Sequence, residues 1–232
     1  MIAVTFALPA ESSEFLRRLR DRTGAERNGL RIVRGNMADQ MIEVLHTGVG
    51  EKVCRQRIGN FLENQQFDIL ISTGFAGALN DELQVGDLLL ARNFSTIDLS
   101  ESNSLLLNLR VHRADLLTAH GLIDSSDERY KIARASGAAA VDMETEFIAR
   151  ACAEHGVPLL SLRVITDTRR KPFPAPMKVL FDIEQQRTRL LRLATFFLAH
   201  PNRAPRMVQF AKSIARARKI LASALVALIS KL

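Results

Sequence analysis

Two acidic side chains that directly follow apolar runs are the residues of this sequence best placed to do chemistry. Glu144 follows Val141-Asp142-Met143, and Asp167 ends the run Leu162–Thr166. A carboxylate beside buried apolar residues costs free energy unless something pairs with it. In α/β proteins, the ends of strands are also where ligands bind. The two acids are therefore either paired structural groups or the floor of a polar pocket.

Further residues could line the same pocket. The turn 47–50 (TGVG) precedes a predicted helix, where backbone amides suit an anion or a sugar hydroxyl. Segments 72–79 (STGFAGAL) and 85–87 (VGD) are also consistent with plain tight turns. Glu11 follows the first apolar run, a position typical of an acid in the first turn of a helix. The histidines are scattered and the two cysteines lack ligand spacing, so no metal is predicted.

The elements that must position these residues alternate between strands and helices. The predicted strands are Ile2–Leu8, Leu30–Val33, Met41–Leu45, Asp68–Ser72, Gly86–Ala91, Ala138–Val141 and Leu159–Ile165. The predicted helices run through residues 15–19 and over 51–64, 127–136 and 144–155, with two more closing the chain. Turns are expected at Gly35-Asn36 and Thr73–Gly77. This alternation predicts an α/β fold with a mixed sheet covered on both faces.

Composition narrows the class of protein. With 232 residues and 47% hydrophobic content, the chain can form one substantial core. No apolar run approaches the roughly 20 residues of a membrane span, and the apolar start does not resemble a signal peptide. We therefore expect a cytoplasmic protein with free thiols. The net charge of +7 raises the question of nucleic acid, but a single tyrosine and no finger motif argue against that partner.

The basic excess is concentrated toward the C-terminus. Apolar residues recur there at helical spacing, namely Met207, Phe210, Ile214, Leu221, Leu225 and Leu228. We interpret residues 183–232 as a basic amphipathic helical extension, packed on a main domain over residues 1–182 or on a partner subunit. The alternative is a helix that rests on an anionic membrane, which would make the protein membrane-peripheral.

Taken together, the motifs resemble those of the purine nucleoside phosphorylase/nucleosidase superfamily. TGVG at 47–50, STGFAGAL at 72–79, VGD at 85–87, VDMETEFIARAC at 141–152 and LRVITD at 162–167 occur in its order and at about its spacing. The sequence is similar to methylthioadenosine/S-adenosylhomocysteine nucleosidases. It is most similar to the hopanoid-associated phosphorylases, which share the ALPAE start at 7–11 and the basic tail. The resemblance covers roughly residues 1–168.

This resemblance implies a fold and an activity. The fold is a three-layer α/β sandwich around a mixed, partly barrel-like sheet, assembled as a homodimer or larger homo-oligomer. The reaction is hydrolysis of the N-glycosidic bond of an adenine nucleoside, without a cofactor. A 5′-substituted adenosine, such as methylthioadenosine or adenosylhopane, is the implied substrate. The alternatives are a phosphorylase with phosphate as co-substrate, and a nucleoside-binding protein without catalysis.

The resemblance also assigns roles to residues. Asp167 matches the acid that protonates purine N7, a task that needs a raised pKa. Glu11 matches the residue that activates water, and Arg163 belongs to the same water site. Met143 and Glu144 match the Met-Glu pair that holds the ribose and stabilises its oxocarbenium-like charge.

The base pocket is implied to involve Phe75, Ala76 and Gly77. Phe75 is a departure, because the nucleosidases have serine there as a ligand of the water. Ala78 likewise replaces the second glycine of their Gly-Gly pair. Glu11 nevertheless favours water over phosphate as the acceptor.

Overall fold

A computed structural model describes residues 1–97, 111–121, 123, 125–172, 181–182, 187–188, 200 and 204–232. Its main strands are β1 (Ile2–Phe6), β2 (Arg20–Arg27), β3 (Leu30–Met37), β4 (Gln40–His46), β5 (Ile69–Ala78), β6 (Leu88–Ala91), β7 (Val111–Ala114), β8 (Leu116–Thr118), β9 (Ala140–Asp142) and β10 (Leu159–Asp167). A short separate pair is β11 (Phe181–Asp182) and β12 (Arg187–Thr188). The helices are α1 (Pro9–Leu16), α2 (Glu51–Leu62), α3 (Ser126–Ser136), α4 (Thr145–His155) and α5 (Ala204–Ile229).

The described strands β1 to β10 form one mixed sheet. Its main path runs β2-β3-β4-β1-β5-β10-β6-β7, and β9 joins β5 to β8. The centre, β4-β1-β5-β10, is parallel, so the carboxyl ends of these strands lie along one edge. All five residues of β1 and all nine of β10 are buried, as expected for strands covered on both faces.

Helices cover both faces of the sheet. On one face, α1 and α5 pack over side chains such as Val4, Ile71 and Leu162. On the other face, α2 and α4 pack over the alternate side chains, including Ala3 and Leu70. This arrangement confirms the predicted three-layer α/β sandwich, because successive side chains of one strand point to opposite faces.

The sheet curls where β5 extends past its neighbours. The end of β5 pairs antiparallel with β9, and β9 pairs parallel with β8. A compact apolar cluster fills the resulting curve, with members Ala76, Ala78, Leu83, Leu89, Ala91, Leu116, Ala139, Ala140 and Ile165. This curvature is the partly barrel-like character predicted for the sheet, and it carries residue 144 toward the edge formed by β1 and β5.

The hairpins differ from the predicted pattern. The predicted turn at Gly35-Asn36 is wrong, because β3 continues through it and the turn falls at Ala38 and Asp39, which have φ of 49° and 60°. Gly35 is needed in the strand instead, since a Cβ there would lie 2.9 Å from Leu19 Cβ. Polar, exposed β2 was not predicted, although Asn28-Gly29 is a strong signal for a two-residue hairpin.

The glycine-rich segment Thr73–Gly77 is not a turn either. It is part of β5 and pairs with β10 from Leu162 to Asp167, with a shift of register between Ile165 and Asp167. The glycines therefore serve close approach of other side chains rather than chain reversal. The loop predicted over residues 169–178 and the first of the two closing helices lie mostly outside the described residues.

Helix α5 has two unlike halves. From Ala217 onward its apolar stripe is buried against α1 and β10, and the Arg218 Nη1 donates to the Ala10 carbonyl at 3.3 Å. The preceding half is largely exposed, with Val208 at 56%. None of the described helices combines the length and the apolar composition that a membrane crossing would need. The division at residue 182 stays a prediction.

Truncation of a buried side chain in α5 should destabilise the whole domain. We expect Leu225→Ala, at a fully buried position, to lower the free energy of unfolding by about 2–5 kcal/mol. Val208→Ala on the exposed half of the same helix should change it by less than about 0.5 kcal/mol. Urea unfolding of both variants measures this. Equal stability of the two would contradict a shared core.

Candidate active site

A pocket opens at the carboxyl edge of β1 and β5, with about 230 Å³ of empty space when the part open to solvent is included. It is lined by Thr5, Phe6, Ala7, Glu11, Thr47, Thr73, Gly74, Phe75, Glu144, Ile148 and Arg163. Four of the sequence-predicted residues therefore meet here, namely Glu11, Phe75, Glu144 and Arg163. The other four, Ala76, Gly77, Met143 and Asp167, do not belong to this lining.

Glu11 lies in the first turn of α1 and accepts hydrogen bonds from the turn that precedes it. Its Oε2 accepts from the amides of Ala7 at 3.0 Å and Leu8 at 3.2 Å, and its Oε1 from the amide of Phe75 at 3.4 Å. Burial outweighs these bonds and the nearby Arg163 charge, and raises the pKa of Glu11 to about 7. A carboxyl group with this pKa suits a general base near neutral pH.

Gly74 is what lets β5 pass so close to this carboxyl group. Its φ is +152°, and a Cβ at this position would lie 3.1 Å from the Glu11 Oε2. A larger residue would push the carboxylate away from the strand. The glycine of the STGFAGAL motif is therefore explained by contact with Glu11.

Glu144 stands between the end of β9 and the start of α4. Its Oε1 accepts a hydrogen bond from the Gly50 amide at 3.1 Å, which ties the TGVG turn to the acid. Burial is the main cause of a raised pKa for Glu144, and the negative charges of Asp142 and Glu11 raise it further. Two desolvated carboxyl groups thus face one pocket, where either could stabilise a developing positive charge.

Arg163 carries the pocket's guanidinium group, but that group is already engaged. Its Nε donates to the Asp142 Oδ2 at 3.0 Å, and its Nη2 donates to Ser72 Oγ at 2.8 Å and to Thr145 Oγ1 at 2.6 Å. Asp142 in turn accepts from Thr118 Oγ1 at 2.9 Å. The buried Asp142 neutralises Arg163, so the positive charge available to a ligand is small.

Asp167 lies deeper, at the end of β10. It is 2% exposed and paired in register with Gly77. Its Oδ1 accepts from the Thr166 hydroxyl at 3.1 Å, and its Oδ2 forms a short ion pair with Arg129 of α3. The sequence predicted the position of this acid at a strand end, but not its cationic partner.

The remaining predicted residues flank these acids. Met143 is half-buried immediately before Glu144. Ala76 is buried, and its carbonyl accepts from the Thr166 hydroxyl at 3.4 Å. Both therefore lie next to a predicted functional acid along the chain or across the sheet.

Sequence reasoning missed the groups that hold the site together. Asp142 and Thr145 stand on either side of the Met-Glu pair in the motif VDMET, which was a usable signal for the partners of Arg163. Arg129 belongs to a helix without a motif, so no local signal pointed to it. Among the residues that the structure describes, no group of three or more His, Cys, Asp or Glu side chains could hold a metal.

Fold and site together define an α/β protein with acidic side chains gathered at the carboxyl edge of a curled, mixed sheet. A sequence profile of the phosphorylase superfamily matches residues 1–105 and 96–199. The match spans most of the chain, and the protein therefore belongs to the phosphorylase superfamily.

Individual relatives point to one branch of that superfamily. The 5′-methylthioadenosine/S-adenosylhomocysteine nucleosidase of Staphylococcus aureus (strain bovine RF122 / ET3-1) is 27% identical over 162 residues, which are 57% of this chain and 71% of the relative. The enzyme of the same name from Campylobacter jejuni has a TM-score of 0.72 at 20% identity, covering 100% of this chain and 99% of that one. A futalosine hydrolase mutant of Helicobacter pylori has a TM-score of 0.72 at 16% identity, with 100% and 99% covered.

These similarities confirm the predicted superfamily and the resemblance to methylthioadenosine/S-adenosylhomocysteine nucleosidases. At identities of 20% and below, the structural likeness shows the fold. The closer resemblance to the hopanoid-associated branch stays a prediction.

The raised pKa of Glu144 predicts a pH-dependent stability. The folded protein binds a proton that the unfolded chain has released above the ordinary value of 4.5, so wild-type stability falls as the pH rises from 4.5 toward the raised pKa. Glu144→Gln keeps the acceptor for the Gly50 amide without the charge. We expect its melting temperature at pH 9 to exceed that of wild type by roughly 2–8 °C.

Calorimetric unfolding at pH 5 and pH 9 measures this difference. Glu154→Gln, at an exposed position of the same helix, serves as the matched control and should follow wild type. If the melting temperatures of wild type and Glu144→Gln change with pH in the same way, the assigned cost of burying the Glu144 carboxylate is contradicted.

Proposed function

We propose that this protein hydrolyses the N-glycosidic bond of an adenine nucleoside and releases the free base. The observation that carries the proposal is the joint presence of Glu11 and Glu144, both buried and both with raised pKa, in one pocket. Membership of the phosphorylase superfamily and the names of the relatives, which include nucleosidases and a hydrolase, support the same reaction.

Glu11 is proposed to activate the attacking water. A base must be ionised to accept a proton, and a pKa of about 7 makes it both available and basic near neutral pH. The amides of Ala7, Leu8 and Phe75 fix the direction of its carboxyl group. Arg163 lies in the same pocket and favours the ionised form of Glu11.

Glu144 is proposed to hold the ribose hydroxyls, with Met143 beside it against the sugar. As the bond between C1′ and N9 breaks, the sugar becomes oxocarbenium-like, and a carboxylate close to it stabilises that charge. The Gly50 amide orients Glu144 for this contact.

Asp167 is proposed to act on the base, with Phe75, Ala76 and Gly77 lining the base side. Its proton would pass to purine N7 as the glycosidic bond breaks, which turns the base into a neutral leaving group. The register between Asp167 and Gly77 supports this assignment, because it places the acid beside a residue proposed to line the base side.

Water is favoured over phosphate as the acceptor. The described lining of the pocket carries two carboxyl groups and one guanidinium, and Asp142 already neutralises that guanidinium. When both carboxyl groups are ionised, a phosphate dianion in this pocket meets more repulsion than attraction. The buried hydroxyls of Thr5 and Thr73 have no hydrogen-bond partner in the part of the chain that the structure describes, and this observation favours the phosphorylase alternative.

A base-release assay tests the proposal. We expect wild type to release adenine from methylthioadenosine in phosphate-free buffer, and Glu11→Gln and Asp167→Asn to lower kcat by about 10²-fold or more. Glu14→Gln on the same helix as Glu11 is the matched control and should retain wild-type activity.

Each outcome of this assay selects one hypothesis. Strict dependence on phosphate, with ribose-1-phosphate chemistry in the product, would establish the phosphorylase instead. Calorimetric binding of the nucleoside without turnover over hours would establish a non-catalytic binding protein. Undiminished release by Asp167→Asn would remove that residue from the mechanism.

The proposed substrate carries a 5′ substituent, as in methylthioadenosine or adenosylhopane. If the substrate is adenosylhopane, the enzyme would act at a membrane. The exposed half of α5 supports such a contact. Arg206, Lys212 and Arg216 accompany the half-buried Met207, Phe210 and Ile214, and residues 204–232 contain no acidic side chain. We therefore extend the proposal to a cytoplasmic enzyme with a basic helix that contacts anionic lipid.

Sedimentation with lipid vesicles tests this contact. We expect binding to vesicles that contain phosphatidylglycerol but not to pure phosphatidylcholine, and weaker binding at high salt. The double substitution Lys212→Glu with Arg216→Glu should abolish it, whereas Arg134→Glu, an exposed arginine outside α5, should not. Equal binding of both variants would exclude α5 as the membrane contact.

We also propose that the chain assembles into a homodimer or larger homo-oligomer, which the family resemblance supports. Sedimentation velocity of the whole chain measures this, and a monomer at micromolar concentration would exclude it.

A further inference from the structure

A buried ion pair joins Arg129 to Asp167, the proposed acid. No sequence motif predicts this pair. Arg129 is 5% exposed and Asp167 is 2% exposed, so water screens this pair little. The contact is a hydrogen bond from Arg129 Nη2 to Asp167 Oδ2. An acid that protonates the base must first hold a proton. A cation in direct contact with Asp167 affects this ability.

The guanidinium is held in place by backbone carbonyls from two other parts of the fold. Its Nε and Nη2 donate to the Ile123 carbonyl at 3.3 Å and 3.2 Å, and its Nη1 donates to the Ala78 carbonyl at 3.2 Å. These acceptors lie just before α3 and at the end of β5. These three hydrogen bonds therefore fix the Arg129 guanidinium in its position beside Asp167.

Gly77 provides the space for this pair. A Cβ at residue 77 would lie 3.0 Å from the Arg129 Nη1 and 3.0 Å from the Asp167 Oδ2. Any side chain here would press on both partners at once. The second glycine of STGFAGAL thus serves the ion pair in the same way that Gly74 serves Glu11.

We infer that Arg129 is a positioning residue that holds Asp167 as a carboxylate and so sets the upper pH limit of base release. The inference rests on the proposed function, in which the Asp167 proton passes to N7 while the bond between C1′ and N9 breaks. Asp167 must then take a proton from solvent before the next turnover. A neighbouring guanidinium opposes that step, because it stabilises the charged form of a carboxyl group.

The two acids of the site are both buried, but they differ in their nearest charged neighbour. Within the described residues Glu11 has no directly bonded cation, since the Arg163 guanidinium donates to Asp142, Ser72 and Thr145 instead. Burial dominates at Glu11 and favours its protonated form. At Asp167 the contact with Arg129 favours the ionised form.

The pH profile of kcat for adenine release tests this inference. In Arg129→Met, which has a neutral side chain of similar length, we expect the alkaline limb to move up by about 1 pH unit or more. Arg129→Lys keeps the charge and should leave the limb close to its wild-type position. Arg134→Met, on the exposed face of the same helix, is the control. Coincident alkaline limbs in wild type and Arg129→Met would overturn the inference.

Stability provides a second readout that does not depend on activity. Arg129→Met leaves a buried carboxylate without its cation, and Asp167→Asn removes that charge. The double variant should therefore melt at a higher temperature than Arg129→Met alone, or should fold under conditions in which Arg129→Met does not. A double variant no more stable than Arg129→Met would overturn the ion pair. Absence of base release by wild type would refute the proposed function but would leave this comparison decisive for the pair.

Discussion

The burial of carboxyl groups at one edge of the sheet is the constraint on which the rest of the site depends. Raising the pKa of Glu11 from 4.5 to about 7 corresponds to a net cost of roughly 3 kcal/mol for ionising this group in the fold. Backbone amides limit the cost of burying both acids: the turn before α1 donates to Glu11, and the TGVG turn donates to Glu144. Gly50, Gly74 and Gly77 follow from the same constraint, because amides and strands must come close to acids.

Arg163 shows how the fold prevents these acids from being neutralised. Its guanidinium could pair directly with Glu11 or Glu144, but Asp142, Ser72 and Thr145 hold it instead. These partners come from β9, β5 and the start of α4, so three elements fix one side chain. Because its charge acts at a distance rather than through a bond, Glu11 keeps a pKa in the useful range. Rigid placement on strands and a helix suits a site that must be accurate.

Elements and site residues could be predicted from the sequence where a hydrophobic periodicity or a motif marks them. The central strands, α2 to α4, and the positions of Glu11, Glu144 and Asp167 at element ends could all be predicted, because apolar runs and stop signals mark them. The strand β2 could not, since its polar residues RDRTGAER carry no alternation. Thr73–Gly77 was mistaken for a turn because glycine has two uses, chain reversal and close approach. Arg129 was missed because its partner is 38 residues away.

The cost of burying the acids has a chemical use. In water a carboxylate gains little from a nearby cation, because solvent already stabilises it. In this pocket Glu11 and Glu144 are desolvated, and the charge of Glu11 raises the cost of ionising Glu144, so a positive charge between them stabilises the ionised form of both. In the proposed reaction the substrate is neutral, and its sugar becomes positive only as the glycosidic bond breaks. On this proposal the pocket binds the transition state better than the substrate, and such a difference in binding accelerates a reaction.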